Sequence, residues 1–552
     1  MDYFDLGTHS RPVTTSSDDA QTWFDRGLNW LFCFNHGEAA ACFQRAIDAD
    51  HKCAMAHWGL SYALGPNYNL PWHRYDEKGR AKALAAAYDA LQGALTVAGD
   101  ASAFEQAMIK ALQARYPQRD LIEDMSAWDK AYTTEMRSVF EDNKDDREAR
   151  TVFVEAIMNE TPWKMWNLET GDVADGAGTA EARAVLEDAF QNMPESWEHP
   201  GLLHLYVHLM EMSPFPEKAL RQGDRLRTIM PDGGHLVHMP THIDVQCGAY
   251  RDTLAYNQQA LVADRKFLAY SENPGVYLMY IIHNFHFAIY GAMFLGQYRA
   301  AIEAAEELIS TVPEAVLRIE SPPMGDFLEG YLAMKQHVMV RFGRWQEIID
   351  QTLPADQELY CATTAMMMYA KTVAHSALGN VDDAESHKTS FLKAKARVKE
   401  GRRVHNNTVA DLLEVAEAML DGELEYRKGN FDDAYAHLRR SVSLDDALPY
   451  DEPWGWMQPA RHALGALLLE QGRADEAEAV YRADLGLDGS LSRACRHLEN
   501  VWSLHGLHEC LMRRGATAEA AMIKQRLDLA QARADVPIKA SCFCRQVAMA
   551  AE

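Results

Sequence analysis

Histidines are concentrated in the middle of this sequence. Eight of the 22 lie between His199 and His286, in the segments HPGLLHLYVHLMEMSP, GGHLVHMPTHIDVQCGAY and YIIHNFHFAIYGAMFLGQ. Imidazole is the commonest side-chain ligand for transition metals near neutral pH. With few carboxylates beside them, these rings favour copper, zinc or iron over magnesium or calcium. The predicted metal ligands are His199, His204, His208, His235, His238, His242, His283, His286 and, further along, His337.

The spacing of these histidines indicates helices. Three pairs are three or four residues apart: His204/His208, His238/His242 and His283/His286. Such pairs lie on one face of an α-helix and present their nitrogens to one point. The first two pairs are 34 residues apart, which is the period of the tetratricopeptide repeat, a stacking helix–turn–helix unit. We therefore expect histidines from successive repeats to face one concave groove.

Two further residues are candidates for catalysis. Glu211 follows His208 by three residues and is predicted to orient a ligand or act as a base. Tyr290 is predicted to face the groove as a redox or hydrogen-bonding partner. Histidine-only ligation of several ions suits copper and would imply O₂ or redox chemistry, with iron as a second candidate. Two alternatives stay open: a zinc-dependent hydrolase and a peptide- or protein-binding scaffold without catalysis.

The rest of the chain predicts an all-α solenoid of the tetratricopeptide type. Residues 1–19 are predicted to be an irregular lead-in, 20–535 one solenoid with its histidine-rich groove in 199–345, and 536–552 a tail. The predicted helix pairs beyond 350 are 358–378 with 381–397, 408–424 with 429–443, 457–471 with 473–486, and 498–514 with 517–533. Glycines at the intervening turns (Gly379, Gly429, Gly472 and Gly515) fit helix ends. Inserted loops at 65–79, 161–179 and 268–277 are predicted to cover the groove as lids.

Composition restricts the function and location. A net charge of −26 argues against nucleic-acid binding, because phosphates would be repelled. The sequence contains no run of 18 apolar residues, so no membrane span is predicted. The acidic start does not resemble a signal peptide. We therefore predict a cytoplasmic protein that takes a small-molecule or peptide substrate in its groove. Cys542 and Cys544 form a CxC pair, which can bind soft metals, although such pairs are more commonly ordinary free thiols.

Six segments carry a family resemblance: CAMAHWGLSYALGPNYN, HPGLLHLYVHLMEMS, GHLVHMPTHI with CGAYRDT, YIIHNFHF, VRFGRW and PWGWMQPARHALGALLLEQGRADEAEAVYRADL. Together they resemble a widespread family of bacterial and fungal tetratricopeptide-repeat proteins. The HLVHMPTHI and HNFHF elements are also similar, more distantly, to the tetratricopeptide-repeat protein 38 family. The resemblance covers most of the chain and implies an α-solenoid with a histidine-rich pocket. It implies no particular reaction.

Overall fold

The protein is built almost entirely from helices. A computed structural model describes residues 3–271 and 274–545. Within these ranges the strands are limited to Arg403–Val404 and Asn407–Thr408, which pair antiparallel. The predicted all-α class is therefore confirmed.

The chain divides into two compact units. The first runs to Ile243 and includes Gln259–Ile281, and the second comprises Asp244–Gln258 and the chain from Ile282 onward. The helices of the first unit are α1 (Asp18–Phe32), α2 (His36–Ala49), α3 (Ala54–Leu64), α4 (Glu77–Val97), α5 (Ala103–Leu112), α6 (Ser126–Asp142), α7 (Arg147–Glu160), α8 (Thr179–Asn192), α9 (Pro200–Glu211), α10 (Leu220–Ile229) and α11 (Gly234–His238). Three helices have residues in both units: α12 (Pro240–Gln246), α13 (Tyr250–Tyr270) and α14 (Tyr277–Leu295).

The remaining helices belong to the second unit. They are α15 (Tyr298–Thr311), α16 (Glu314–Leu317), α17 (Met324–Leu328), α18 (Met334–Arg341), α19 (Trp345–Asp350), α20 (Cys361–Ala377), α21 (Val381–Lys395), α22 (Val409–Lys428), α23 (Phe431–Asp446), α24 (Ala460–Glu470), α25 (Ala474–Asp484), α26 (Val501–Arg514) and α27 (Thr517–Gln531). Short 3₁₀ turns lie in the first unit at Trp72–Arg74, Ala98–Asp100, Pro194–Glu198 and Pro216–Ala219, and in the second unit at Glu329–Ala333 and Arg493–Cys495.

Small residues let neighbouring helices of the first unit pack closely. The ring of Phe43 in α2 lies against Gly27 of α1 and Gly59 of α3, where an added Cβ would approach it to 2.7 and 2.4 Å. Side chains cap the starts of the first two helices: Ser17 accepts from the Ala20 N–H, and Asn35 accepts from the Glu38 N–H. Paired helices with a large side chain between small ones match the tetratricopeptide pattern.

Helices α20–α27 of the second unit form successive helix–turn–helix pairs. The predicted turn glycines Gly379, Gly429, Gly472 and Gly515 all have positive φ, between +75° and +85°. This left-handed conformation costs glycine little and ends each first helix. The four predicted pairs are confirmed, with ends shifted by a few residues.

The histidine segment 235–242 differs from the single continuous helix that its spacing predicts. It is split between α11 and α12 at Pro240, which has no N–H to donate to a carbonyl four residues earlier. Met239 keeps right-handed helical dihedrals (φ −51°, ψ −40°), so the chain continues in the same direction. His238 and His242 therefore keep the shared face that their spacing predicts.

One described helix is long and apolar enough to cross a membrane by length and composition. This is α14, with 19 residues, and 89% of its apolar 18-residue stretch is buried inside the protein. A buried core helix meets the same criteria of length and composition.

Candidate metal centre

Five of the predicted ligands lie together in the first unit. His204 and His208 come from α9, His235 and His238 from α11, and His242 from α12, and each ring is 2% exposed or less. Ring centroids lie 4.7 Å apart for His204 and His208, 4.9 Å for His204 and His235, and 4.7 Å for His238 and His242. The rings of His208 and His242, which are 34 residues apart in the sequence, lie 6.2 Å apart, centroid to centroid, so histidines from two successive predicted repeats lie side by side.

Three of these rings converge through their nitrogens. Ligand atoms of His204, His208 and His235 all lie within 4.8 Å of one another. His204 Nδ1 lies 2.7 Å from the carbonyl oxygen of Phe32, and His208 Nδ1 lies 3.0 Å from Glu211 Oε1. Since each oxygen accepts, both Nδ1 atoms carry the proton and both Nε2 atoms keep a lone pair. Metal-binding histidines typically have this arrangement, with the second ring nitrogen donating to a carboxylate or carbonyl.

Unsatisfied buried nitrogens mark the point of convergence. Within the described residues, His204 Nε2 and both ring nitrogens of His235 are buried without a hydrogen-bond partner. A buried polar atom left in this state costs about 1–3 kcal/mol. A bound cation would satisfy His204 Nε2 and one His235 nitrogen together.

Glu211 connects this set to the second histidine pair. Its Oε2 accepts from His242 Nδ1 at 2.9 Å, while its Oε1 accepts from His208 Nδ1 at 3.0 Å. His242 Nε2 is therefore unprotonated, and it lies 2.8 Å from His238 Nε2, which donates to it. A cation held by both Nε2 atoms would require the His238 proton to move to Nδ1. Glu211 thus contacts both His208 and His242, and its role in orienting a ligand stays a prediction.

Burial keeps His204 and His235 in their neutral, metal-binding form. It lowers the pKa of His204 to about 3, against the smaller raising effect of the Phe32 carbonyl. Burial also places the pKa of His235 well below its usual range, and the neighbouring histidines lower it further. Neutral rings at pH 7 offer lone pairs to a metal without competition from protons.

Aromatic side chains surround the five histidines. Phe34, just after α1, stacks on His208 and His235 with centroids 5.6 Å apart in both cases. Its φ of +55° lies in the left-handed region, which is uncommon for a bulky residue. Such backbone outliers cluster at ligand sites. Phe34 is not predictable from the sequence, because nothing in the pattern of α1 indicates a positive φ.

Two predicted insertions supply the other walls. Tyr68 lies 5.0 Å and Trp163 6.2 Å from the His208 ring, centroid to centroid. Tyr280 lies 4.7 Å from the ring of His235 and was also missed, although it stands three residues before His283. Trp163 and Tyr280 are partly exposed, so they separate the cluster from solvent. Residues 272–273 of the third predicted lid, 268–277, lie outside the described residues.

His199 belongs to a different group in the same unit. Its Nδ1 accepts from the Leu202 N–H at 3.2 Å and caps α9, and its Nε2 lies 3.4 Å from Glu148 Oε1. His9 Nε2 lies 3.2 Å from that oxygen, and Arg11 Nη1 lies 2.8 Å from the other. Burial lowers the pKa of His199 to about 4. Its assignment as a metal ligand stays a prediction.

His283 and His286 lie in the second unit. His283 stacks on His405 with centroids 4.8 Å apart, and the His283 and His286 rings are 6.0 Å apart. His286 Nε2 lies 3.0 Å from Met457 Sδ. Their assignment as ligands stays a prediction.

His337 and Tyr290 also belong to the second unit. His337 meets Trp456 edge-on at 4.8 Å, and burial alone lowers its pKa to about 3. Tyr290 stacks on Phe294 at 4.3 Å, and burial raises its pKa well above the usual value. Neither the ligand role of His337 nor the catalytic role of Tyr290 is tested by these contacts.

Comparisons with known proteins yield distant structural similarity only. No protein-family model matches the sequence, and no curated protein matches it. The structure is similar to Naa15/Naa10 bound to HypK-THB (14% identity, TM-score 0.22, 93% of this chain and 70% of that one). It is also similar to an IFIT1 monomeric mutant with Gppp-AAAA (13%, 0.33, 93% and 96%) and to the P58(IPK) TPR domain (12%, 0.21, 93% and 98%). At these TM-scores the similarities assign neither a family nor an activity.

Proposed function

We propose that this protein binds a transition metal in the first unit through His204, His208 and His235, with His238 and His242 as a second ligand pair. The observation that carries the proposal is the orientation of the rings. Phe32 and Glu211 fix His204 and His208 with their Nε2 lone pairs toward His235, whose nitrogens have no hydrogen-bond partner among the described residues. Ordinary packing of histidines would satisfy those nitrogens instead.

We propose further that the protein is a metal-dependent oxidoreductase, with copper favoured and iron as the second candidate. Imidazole-rich ligation suits copper, which when bound would supply one-electron and O₂ chemistry. Glu211 holds the protons of His208 and His242 on their Nδ1 atoms. Phe34 and Tyr68 exclude water, and Tyr280 places a phenol beside His235. A small reactant would approach past the partly exposed Tyr280 and Trp163.

The two alternatives make different demands on the site. A peptide-binding groove must expose its recognition residues, whereas these five rings are at most 2% exposed. That burial argues against a peptide-binding scaffold that contacts its peptide through the histidines. A zinc hydrolase needs a metal with an open position and a polarised water, and the same ligands would serve it. The metal's identity therefore separates the proposed oxidoreductase from the hydrolase.

Metal analysis of protein made without a histidine tag tests the proposal. We expect at least one copper or iron per chain, and for copper(II) a paramagnetic signal with nitrogen hyperfine structure. His204→Ala should lose metal, whereas His57→Ala should keep it, because His57 lies outside the cluster with its Nε2 near the His51 carbonyl. Protein without stoichiometric metal would refute metal binding, and zinc alone would refute the oxidoreductase.

A further inference from the structure

The C-terminal cysteine pair lies beside a buried glutamate in the second unit. Cys542 and Cys544 form a disulfide, and a ligand oxygen of Glu423 lies within 4.8 Å of both sulfur atoms. Glu423 and Cys544 are each 1% exposed, whereas Cys542 is partly exposed. Glu423 and Cys542 both line a small cavity of about 30 Å³. A carboxyl group thus lies beside a partly exposed sulfur, which an attacking thiolate can reach from solvent.

The tail around the disulfide is held by specific contacts. The Ser541 hydroxyl donates to the carbonyl of His462 at 2.8 Å and lies 2.6 Å from the Tyr481 hydroxyl. Arg545 forms a bidentate pair with Glu509, at 2.7 and 2.9 Å. Residues on both sides of the cysteines are therefore anchored to α24, α25 and α26, so the site does not depend on a loose tail.

Glu423 is an unusual neighbour for two sulfur atoms. Within the described residues its Oε2 is buried without a hydrogen-bond partner. Burial raises its pKa to about 7, against the lowering effect of Arg427. A carboxyl group with such a value can both give and take a proton near neutral pH. Packing alone does not require an ionisable group at this position.

We propose that Cys542, Cys544 and Glu423 form a thiol–disulfide exchange site whose substrates are small thiols and disulfides. A thiolate RS⁻ attacks the accessible Cys542 Sγ, the bond between the two cysteines breaks, and its electron pair goes to Cys544 Sγ. Cys544 Sγ takes the proton of the Glu423 carboxyl. A second thiol attacks the R-bearing sulfur, RSSR leaves, and Cys542 receives that thiol's proton. The proton released by the first thiol returns Glu423 to its acid form.

The overall change is two RSH and one protein disulfide giving RSSR and two protein thiols. The reverse reaction reduces a small disulfide, and Glu423 then takes the proton of Cys544. The charged and titratable groups around Glu423 and this cavity are Arg341, Tyr369, Arg427, His462, Glu470, Tyr481, Glu509 and Arg545. None of them is among the five histidines of the proposed metal centre.

Differential alkylation of the folded full-length protein tests the exchange. Trypsin cleaves after Lys539 and Arg545 and releases both cysteines in the fragment ASCFCR. Before reduction, this fragment should resist alkylation. After brief treatment with dithiothreitol it should take at least one alkyl group, on the partly exposed Cys542, while buried thiols such as Cys510 remain unmodified. The proposal is wrong if the fragment is alkylated without reductant, or if it resists reduction until the protein is unfolded.

Glu423→Gln tests the proton transfer. The amide cannot give a proton, so we expect reduction near pH 6 to slow on the order of tenfold or more. Glu417→Gln is the control, because Glu417 lies in the same helix but accepts from Lys395 Nζ at 2.6 Å and is not one of the charged groups around Glu423, so the rate should be unchanged. In the wild-type protein, the rate per attacking thiolate should fall as pH rises through about 7. Equal rates in Glu423→Gln, or a flat wild-type profile, would overturn the role of Glu423.

Discussion

Replacing Glu211 with glutamine tests the metal centre most directly. The carboxylate accepts from two Nδ1–H groups, His208 at 3.0 Å and His242 at 2.9 Å. A glutamine side chain of the same shape has one acceptor oxygen and one NH₂ donor. One of the two histidines must then face a donor, and its proton moves to Nε2, where it blocks metal binding.

The expected loss follows from this single change of tautomer. Removing a group that orients a metal ligand typically weakens metal binding 10- to 100-fold, or about 1.4–2.8 kcal/mol. We expect Glu211→Gln to raise the copper dissociation constant by that factor. Competition with a chromophoric chelator measures it, on metal-free protein whose helical circular dichroism matches the wild type.

The control is a second buried glutamate in the first unit. Glu155 accepts from the Tyr62 hydroxyl at 2.8 Å, so Glu155→Gln changes a buried carboxyl group without removing a contact to any of the five histidines. This variant should bind copper as the wild type does. If Glu211→Gln also binds copper with unchanged affinity, the proposed ligand orientation is refuted.

Three further outcomes are expected. His238→Ala combined with His242→Ala should lower the copper content by about one ion per chain in elemental analysis, with helical circular dichroism nearly unchanged. In metal-free protein, His337 should lower the free energy of unfolding by about 1.4 kcal/mol per pH unit as pH falls from about 6.5 toward 3. The reason is that this ring takes up a proton in the unfolded chain but stays neutral in the folded chain. His337→Phe should therefore reduce the stability difference between pH 7 and pH 5 by about 2 kcal/mol in urea unfolding. Gly59→Ala should destabilise by about 1–3 kcal/mol through overlap with Phe43, whereas Gly99→Ala, with open space around it, should lower the melting temperature little.

Sequence periodicity was sufficient for the features that repeat. The turn glycine Gly429 follows from the end of a helical pattern. The contacts within the pairs His204/His208 and His238/His242 follow from their four-residue spacing, because such residues share one helix face. Contacts that break the repeat were not predictable. Phe34 reaches the histidines through a positive φ, which no periodic pattern encodes.

Tyr280 was not predicted as a wall residue, whereas Trp163 lies in the predicted lid 161–179. Tyr280 lies near the start of α14, and the repeat does not determine which side chain its ring meets. The division of the chain after Ile243, Gln258 and Ile281 is equally invisible in composition, because a helix continues across each of the three boundaries. The prediction of one continuous solenoid over 20–535 therefore rests on the pattern alone.

The depth of the five histidines has a kinetic consequence. Side chains that are 2% exposed or less cannot exchange a bound ion with solvent unless the surrounding helices open locally. The half-life of a loaded ion would then be set by the frequency of that opening, whatever the strength of the competing chelator. Loading would be easiest while the chain is still folding, before Phe34 and Tyr68 close over the rings.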